Sequence, residues 1–214
     1  MRRAKIIKRP KNTERWARRY RQALDAAAVT FAERGYQGAS TADIARRLGV
    51  RQASVYYYFP SKEAALAAVC ELGIGNMIVG LRKIVDRDVS VIERIHAAIA
   101  NHLGTLRTHP NAEYACVFVR HHRELGKVSC RKVTTLVREY RQLLERLLMY
   151  RIETDERPCN FNSERAAAML LAVCNSLVTA REMAETATID DWIEDYAHIF
   201  TYGILLARHA QAKR

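Results

Sequence analysis

An all-α fold is what this sequence predicts, and three observations predict it. Apolar residues recur at three- and four-residue spacing along most of the chain, from Trp16, Tyr20, Leu24, Ala27 and Phe31 to Trp192, Tyr196, Ile199 and Phe200. No stretch alternates apolar and polar residues at the period of two that a half-buried strand needs, and no internal repeat competes. With 49% apolar residues in 214 and only 4 prolines, the chain can bury one substantial core, or a small domain docked on a larger one.

The first helix is predicted over Arg15–Glu33, with one buried stripe, and Gly35 ends it. Ser40 then caps a short helix to about Leu48, with Asp43 three positions on to complete a capping box. Ile44, Ala45 and Leu48 face inward there, Gly49 makes a turn, Val50 fills the gap beneath it, and Val55 anchors the next helix, Arg51–Phe59. This set specifies two helices crossing closely around a tight turn, the helix-turn-helix layout that lays its second helix in the major groove of DNA. Pro60 and Ser61 close that helix and cap the next, which starts at Lys62 and runs through Leu66, Val69, Cys70, Ile74 and Ile78. Gly73, Gly75 and Gly80 predict a kink or an early end in its distal half.

Beyond it the pattern stays helical. Segments are predicted from Ser90 to about Arg107, from Pro110 through Phe118, and from Cys130 to about Arg151, with a break at Leu125–Ser129 and a loop at Arg157–Asn162. Two last helices span about Ser163–Glu182 and Asp190–Ala210. Each carries more apolar surface than its own bundle needs. Ala166, Leu170, Val173, Leu177, Trp192, Tyr196, Phe200 and Ile204 are therefore expected to form the interface of a homodimer, burial within one chain being the alternative.

The net charge of +12 is unevenly placed. Through Lys62 there are 15 Lys or Arg against 4 acidic residues, whereas the remainder holds 20 basic and 19 acidic. Such a field raises on-rate and nonspecific affinity for a polyanion, whereas ordinary solubilising charge would be spread over both parts. Residues 1–12 are basic but lack the apolar stretch and cleavage site of a secretory signal, and no apolar run reaches the roughly 18 residues of a spanning helix. A cytoplasmic, nucleoid-associated protein without a membrane partner is expected. Cys70, Cys116, Cys130, Cys159 and Cys174 form no C-x-x-C pair and read as small buried hydrophobes. His121 and His122 are adjacent rather than four apart, so neither a metal nor a cofactor is expected. No glycine-rich phosphate loop or nucleophile–base set points to an enzyme.

On the predicted recognition helix Val55 and Phe59 face the core, while Gln52 and Ser54 lie outward near its start, where side chains reach base edges. Arg51 suits either a guanine or a phosphate. Tyr56 and Tyr58 are expected to offer hydroxyls to phosphates, Tyr57 to pack partly on the following helix, and packing within the core is the alternative for each ring. Thr41 suits the opposite flank of the backbone. Lys62 at a helix start is unfavourable for folding and is better explained by an outside anion. The arm, residues 1–12, suits either the minor groove and flanking phosphates or a solubilising tail. Two reading heads on one frame would favour a palindromic site with half-site centres about 34 Å or more apart.

Residues 31–66, FAERGYQGASTADIARRLGVRQASVYYYFPSKEAAL, resemble the TetR family of bacterial transcriptional regulators, with the specific likeness over about 15–70. The resemblance implies a helix-turn-helix DNA-binding domain at 13–61 and a helical ligand-binding and dimerisation domain at 62–214. It implies base contacts by Arg51, Gln52 and Ser54, phosphate contacts by Thr41, Tyr56, Tyr58 and Lys62, and repression relieved by a small hydrophobic effector. Residues 120–148 resemble regulators that sense acyl-coenzyme A thioesters. There Arg120, Arg123, Lys127, Arg131 and Lys132 crowd one end of an apolar segment, as the phosphates of an acyl-CoA require; a solvated helix end is the plainer reading. The competing function is a constitutive nucleoid or partner-protein-binding module on the same fold, which would lack a small-molecule switch.

Overall fold

The computed structural model describes residues 13–149, 162–180 and 188–211. Among them are nine α-helices: α1 (Thr13–Gly38), α2 (Thr41–Leu48), α3 (Gln52–Tyr58), α4 (Lys62–Val85), α5 (Val91–Leu103), α6 (Asn111–His121), α7 (Cys130–Met149), α8 (Ser163–Ala180) and α9 (Ile189–Gln211). Short 3-10 turns follow α5 at Gly104–Arg107 and α6 at His122–Glu124. The predicted Ser90–Arg107 helix is thus α5 with a tightened last turn. The arm at 1–12, Cys159 and most of the predicted Arg157–Asn162 loop lie outside the described residues.

The head, α1 to α3, folds by local rules. Ser40 accepts the Asp43 amide while the Asp43 carboxylate accepts the Ser40 amide, completing the capping box that starts α2. Gly49, at φ 70° and ψ 34°, turns the chain in the left-handed region and returns its N–H to Ala45 and Arg46 carbonyls. Ile44, Ala45, Val55 and Phe59 are all buried under α1, each large side chain contributing about 1.5–3 kcal/mol.

The spine of the larger body is α4, which packs against α6 and α7 and reaches α1 and α5. It runs unbroken to Val85, contrary to the kink its glycines predict. Packing explains the difference. A Cβ on Gly73 would stand 2.8 Å from the Tyr114 carbonyl oxygen, and one on Gly80 would stand 1.7 Å from Asn101 Oδ1. These glycines let neighbouring helices approach, and the contacts repay their low helix propensity. By length and apolar composition alone α4 could also span a bilayer, yet Leu66, Val69, Ile74, Met77 and Leu81 are buried inside the bundle.

A hydrogen-bonded chain crosses the body's core. Asn101 donates to the Met77 carbonyl at 2.9 Å, and its side chain also bonds Tyr140. Tyr140 and His102 Nδ1 are 3.0 Å apart, and His102 Nε2 lies 3.2 Å from Asn175 Oδ1. Because an amide oxygen only accepts, Nε2 carries the proton and Nδ1 accepts from the tyrosine. Burial pushes the His102 imidazole down to about 4, with the Asn175 bond opposing it, so the ring is neutral at pH 7. Cys70 and Cys174 are buried thiols, both pushed up to about 12 by desolvation, whereas Cys116 and Cys130 are half-buried.

Candidate nucleic-acid interface and effector hollow

Helix α3 presents its outer face to solvent because Val55 and Phe59 hold its inner face in the core. Arg51, Gln52 and Ser54 are all exposed at its start, where the sequence places base contacts. Gln52 is also oriented. Its Nε2 donates to Thr41 Oγ1 at 2.9 Å, and the Thr41 hydroxyl lies 3.3 Å from that of Tyr56. Three predicted contact residues from α2 and α3 therefore form one hydrogen-bonded row. Gln52 keeps Oε1 and its second Nε2 hydrogen, the pair that matches N6 and N7 of adenine.

Tyr57 and Tyr58 exchange their expected places. Tyr56 and Tyr57 are each 47% exposed. Tyr58 is half-buried, tilted against Tyr20 at 6.5 Å and edge-on to Tyr57 at 5.3 Å. With about 100° per helical residue, Val55 and Phe59 fix the inward direction and Tyr57 points about 180° from it. The spacing already contained this signal.

Lys62 has an internal explanation in place of the outside anion. Its ammonium donates to the carbonyls of Tyr36 at 2.9 Å, Ala39 at 3.0 Å and Gln37 at 3.5 Å, and sits 4.5 Å above the Tyr36 ring. A cation here satisfies the carbonyls at the end of α1 and ties α4 to the head.

In the body, a hollow of about 360 Å³ opens between the His122–Glu124 turn and α7, lined by His122, Arg123, Leu125, Cys130, Val133 and Val137. Of the five cations assigned to ligand phosphates, Arg123 is on its wall, and Arg120, Lys127 and Arg131 are exposed on the adjoining segments. Lys132 points elsewhere, to an ion pair with Glu71 beside a separate hollow under Tyr20 and Tyr58.

The expected dimer residues divide. Val173 is exposed and Ala166 half-buried, but Leu170 and Leu177 are buried in the protomer's own core, where Trp192, Tyr196 and Phe200 also pack in part. Ile204 lies where side chains are not described. The apolar residues left outward include Ala168, Met169, Ala172 and Val173 on α8, with Ile199 and Tyr202 on α9. On α8, Met169 and Ala172 stand one position before the predicted Leu170 and Val173, and Val173 belongs to both sets, so periodicity alone did not separate the buried members of the stripe from the exposed ones.

Comparison with known proteins bears on both regions. The family signature of bacterial regulatory proteins of the tetR family matches residues 23–69. The fatty acid metabolism regulator protein of Bacillus subtilis (strain 168) is 25% identical over 161 residues, covering 75% of this chain and 82% of that protein. FadR from Bacillus subtilis, solved with stearoyl-CoA, has a similar fold at TM-score 0.70 and 21% identity, covering 85% of this chain and 97% of that one. AibR, solved with isovaleryl coenzyme A and operator DNA, does so at TM-score 0.73 and 18% identity, covering 85% and 97%. The signature of the tetR family of bacterial regulatory proteins thus falls on the capped, glycine-turned head, and the likeness of fold to these regulators extends through the body.

Proposed function

We propose that the chain is a homodimeric repressor that grips double-stranded DNA with α3 of each copy and releases it when an acyl-coenzyme A thioester enters the body. Residues 13–61 are the reading head, 62–214 the effector and dimer domain, and 1–12 a basic arm following the flanking backbone. Arg51, Gln52 and Ser54 face the bases; Thr41, Tyr56 and Tyr57 face phosphates, with Tyr58 and Lys62 holding the frame. Arg123, Arg120, Lys127 and Arg131 take the ligand's phosphates. Met169, Val173, Ile199 and Tyr202 meet their counterparts on the second copy. The protein works in the cytoplasm, at the nucleoid.

One observation carries this reading: an apolar hollow whose wall includes Arg123 and whose neighbouring segments expose three further cations. An acyl-CoA has that division, an apolar chain joined to a multiply charged head, and a hollow with cations beside apolar walls suits it better than it suits a uniformly apolar molecule. The relatives solved with stearoyl-CoA and isovaleryl-CoA support the ligand class. The test selects an operator from a random DNA pool and then titrates the complex with palmitoyl-CoA, isovaleryl-CoA, free CoA and palmitate. Release of an inverted repeat by a thioester but not by palmitate is expected, with a loss of roughly 30- to 150-fold in affinity. Release by palmitate alone, or by none of the four, overturns it.

A further inference from the structure

We propose that Thr41 is a positioning residue that decides which base Gln52 accepts, and that a phosphate held by Tyr56 sets the direction of its hydroxyl, an inference that rests on the roles given above to Gln52 and Tyr56. Gln52 opens α3, Tyr56 stands one turn further along the same face, and Thr41 opens α2. Thr41 is 8% exposed, whereas Tyr56 is 47% exposed and Gln52 lies at the surface. The Thr41 hydroxyl therefore sits beneath its two neighbours, 2.9 Å from Gln52 Nε2 and 3.3 Å from the Tyr56 oxygen. The adjoining Ser40 hydroxyl is already committed. It donates to the Asp43 carboxylate and accepts the Asp43 amide.

A threonine hydroxyl has one hydrogen, so the row runs in one of two senses. When Thr41 donates to Tyr56, its oxygen is left to accept the Gln52 amide, and the tyrosine's own hydrogen is free for an outside acceptor. When Tyr56 donates to Thr41 instead, the Thr41 hydrogen is released to Gln52 Oε1, and the amide can turn over. A phosphate oxygen only accepts, so a phosphate at Tyr56 selects the first sense and strengthens the long bond between the two hydroxyls. Base choice follows from that sense. As tied in this structure, Gln52 can set Oε1 against the N6 amino group of adenine; turned over, it sets Nε2 there, which suits the O6 of guanine. Thr41 and Tyr56 thus favour adenine over guanine without touching either base.

The test uses Thr41→Val, which keeps the shape and removes the hydroxyl, Thr41→Ser, which keeps the hydroxyl, and Tyr56→Phe, all in the full-length chain. Fluorescence anisotropy measures binding to the selected operator and to the same operator with guanine for adenine at the position that Gln52→Ala relaxes in each half-site. Thr41→Val and Tyr56→Phe are expected to lower the adenine-to-guanine affinity ratio by about fivefold or more, and Thr41→Ser to keep it. A uniform loss of affinity with an unchanged ratio would mark Thr41 as merely structural and overturns its positioning role. Should Gln52→Ala relax no position, the base reading itself fails, and NMR of the isotope-labelled free protein decides the positioning separately. The Gln52 side-chain amide is assigned from its absence in Gln52→Ala. Faster solvent exchange of that amide in Thr41→Val but not in Thr41→Ser upholds the bond that directs it, whereas equal exchange in wild type and both variants overturns it.

Discussion

The head and the body of this chain place their polar side chains in opposite ways. In the head, the exposed Gln52 and Tyr56 meet over the buried Thr41 hydroxyl, with Arg51, Ser54 and Tyr57 exposed beside them. In the body, Asn101, Tyr140, His102 and Asn175 close on one another across the core. Water replaces a lost surface partner, whereas a lost member of a buried chain strands the others at the full desolvation cost. Recognition and stability are therefore separable: head surface changes alter what is bound, and body core changes alter whether the chain stays folded.

The largest effect should come from acid. His102 takes a proton in the unfolded chain as pH falls through about 6.5 but in the folded chain only near 4. The unfolded state thus binds more protons in that window, and stability, full above it, declines as pH drops from 6.5 to 4 by up to about 3 kcal/mol. Denaturant midpoints across this range check it, and His102→Gln should flatten the slope while lowering the plateau. Next comes Gly73→Ala, which sets a methyl against the Tyr114 carbonyl and should cost about 2 kcal/mol in equilibrium unfolding. Gly75→Ala, with open space around its position, should instead stabilise α4 by up to about 1 kcal/mol. Equal costs for the two would break the packing account of those glycines.

Smaller effects sharpen the contrast within α3. Tyr57→Phe should weaken operator binding by about 1 kcal/mol and leave the unfolding midpoint unchanged. Tyr58→Ala, removing a ring packed on Tyr20, should lower the midpoint. If both act on binding alone, the exchange of roles is wrong. Smallest is Ser40→Ala, which removes a cap on α2 and should cost the head about 1 kcal/mol or less in stability.

The head was legible because its instructions are local. Ser40 with Asp43, Gly49, and the Val55–Phe59 pair each act within a few residues, and the structure forms the cap, turn and anchor they predict. Lys62 was misread because its partners, the carbonyls of Tyr36, Gln37 and Ala39, are more than twenty residues away and invisible to a rule about helix ends. The α4 glycines failed for a related reason: propensity predicts a kink, but Tyr114 and Asn101 come from other helices. On α8, Leu170 and Val173 fit an apolar stripe equally well in sequence. Only packing against α7 and α6 separates the buried leucine from the exposed valine. The hydrogen bonds of Gln37 with Glu124 and of Gly126 with Glu63 left no sequence signal, since their members meet across 87 and 63 positions.

The most direct test of the central claim compares operators selected from one random pool by the wild type and by Gln52→Ala. Both should yield inverted repeats, with the preference for adenine lost at one symmetric position in each half-site and binding to the wild-type site weaker by about 1–3 kcal/mol. An unchanged consensus, or selected sites without two-fold symmetry, would contradict the picture of two α3 helices reading bases from one dimer.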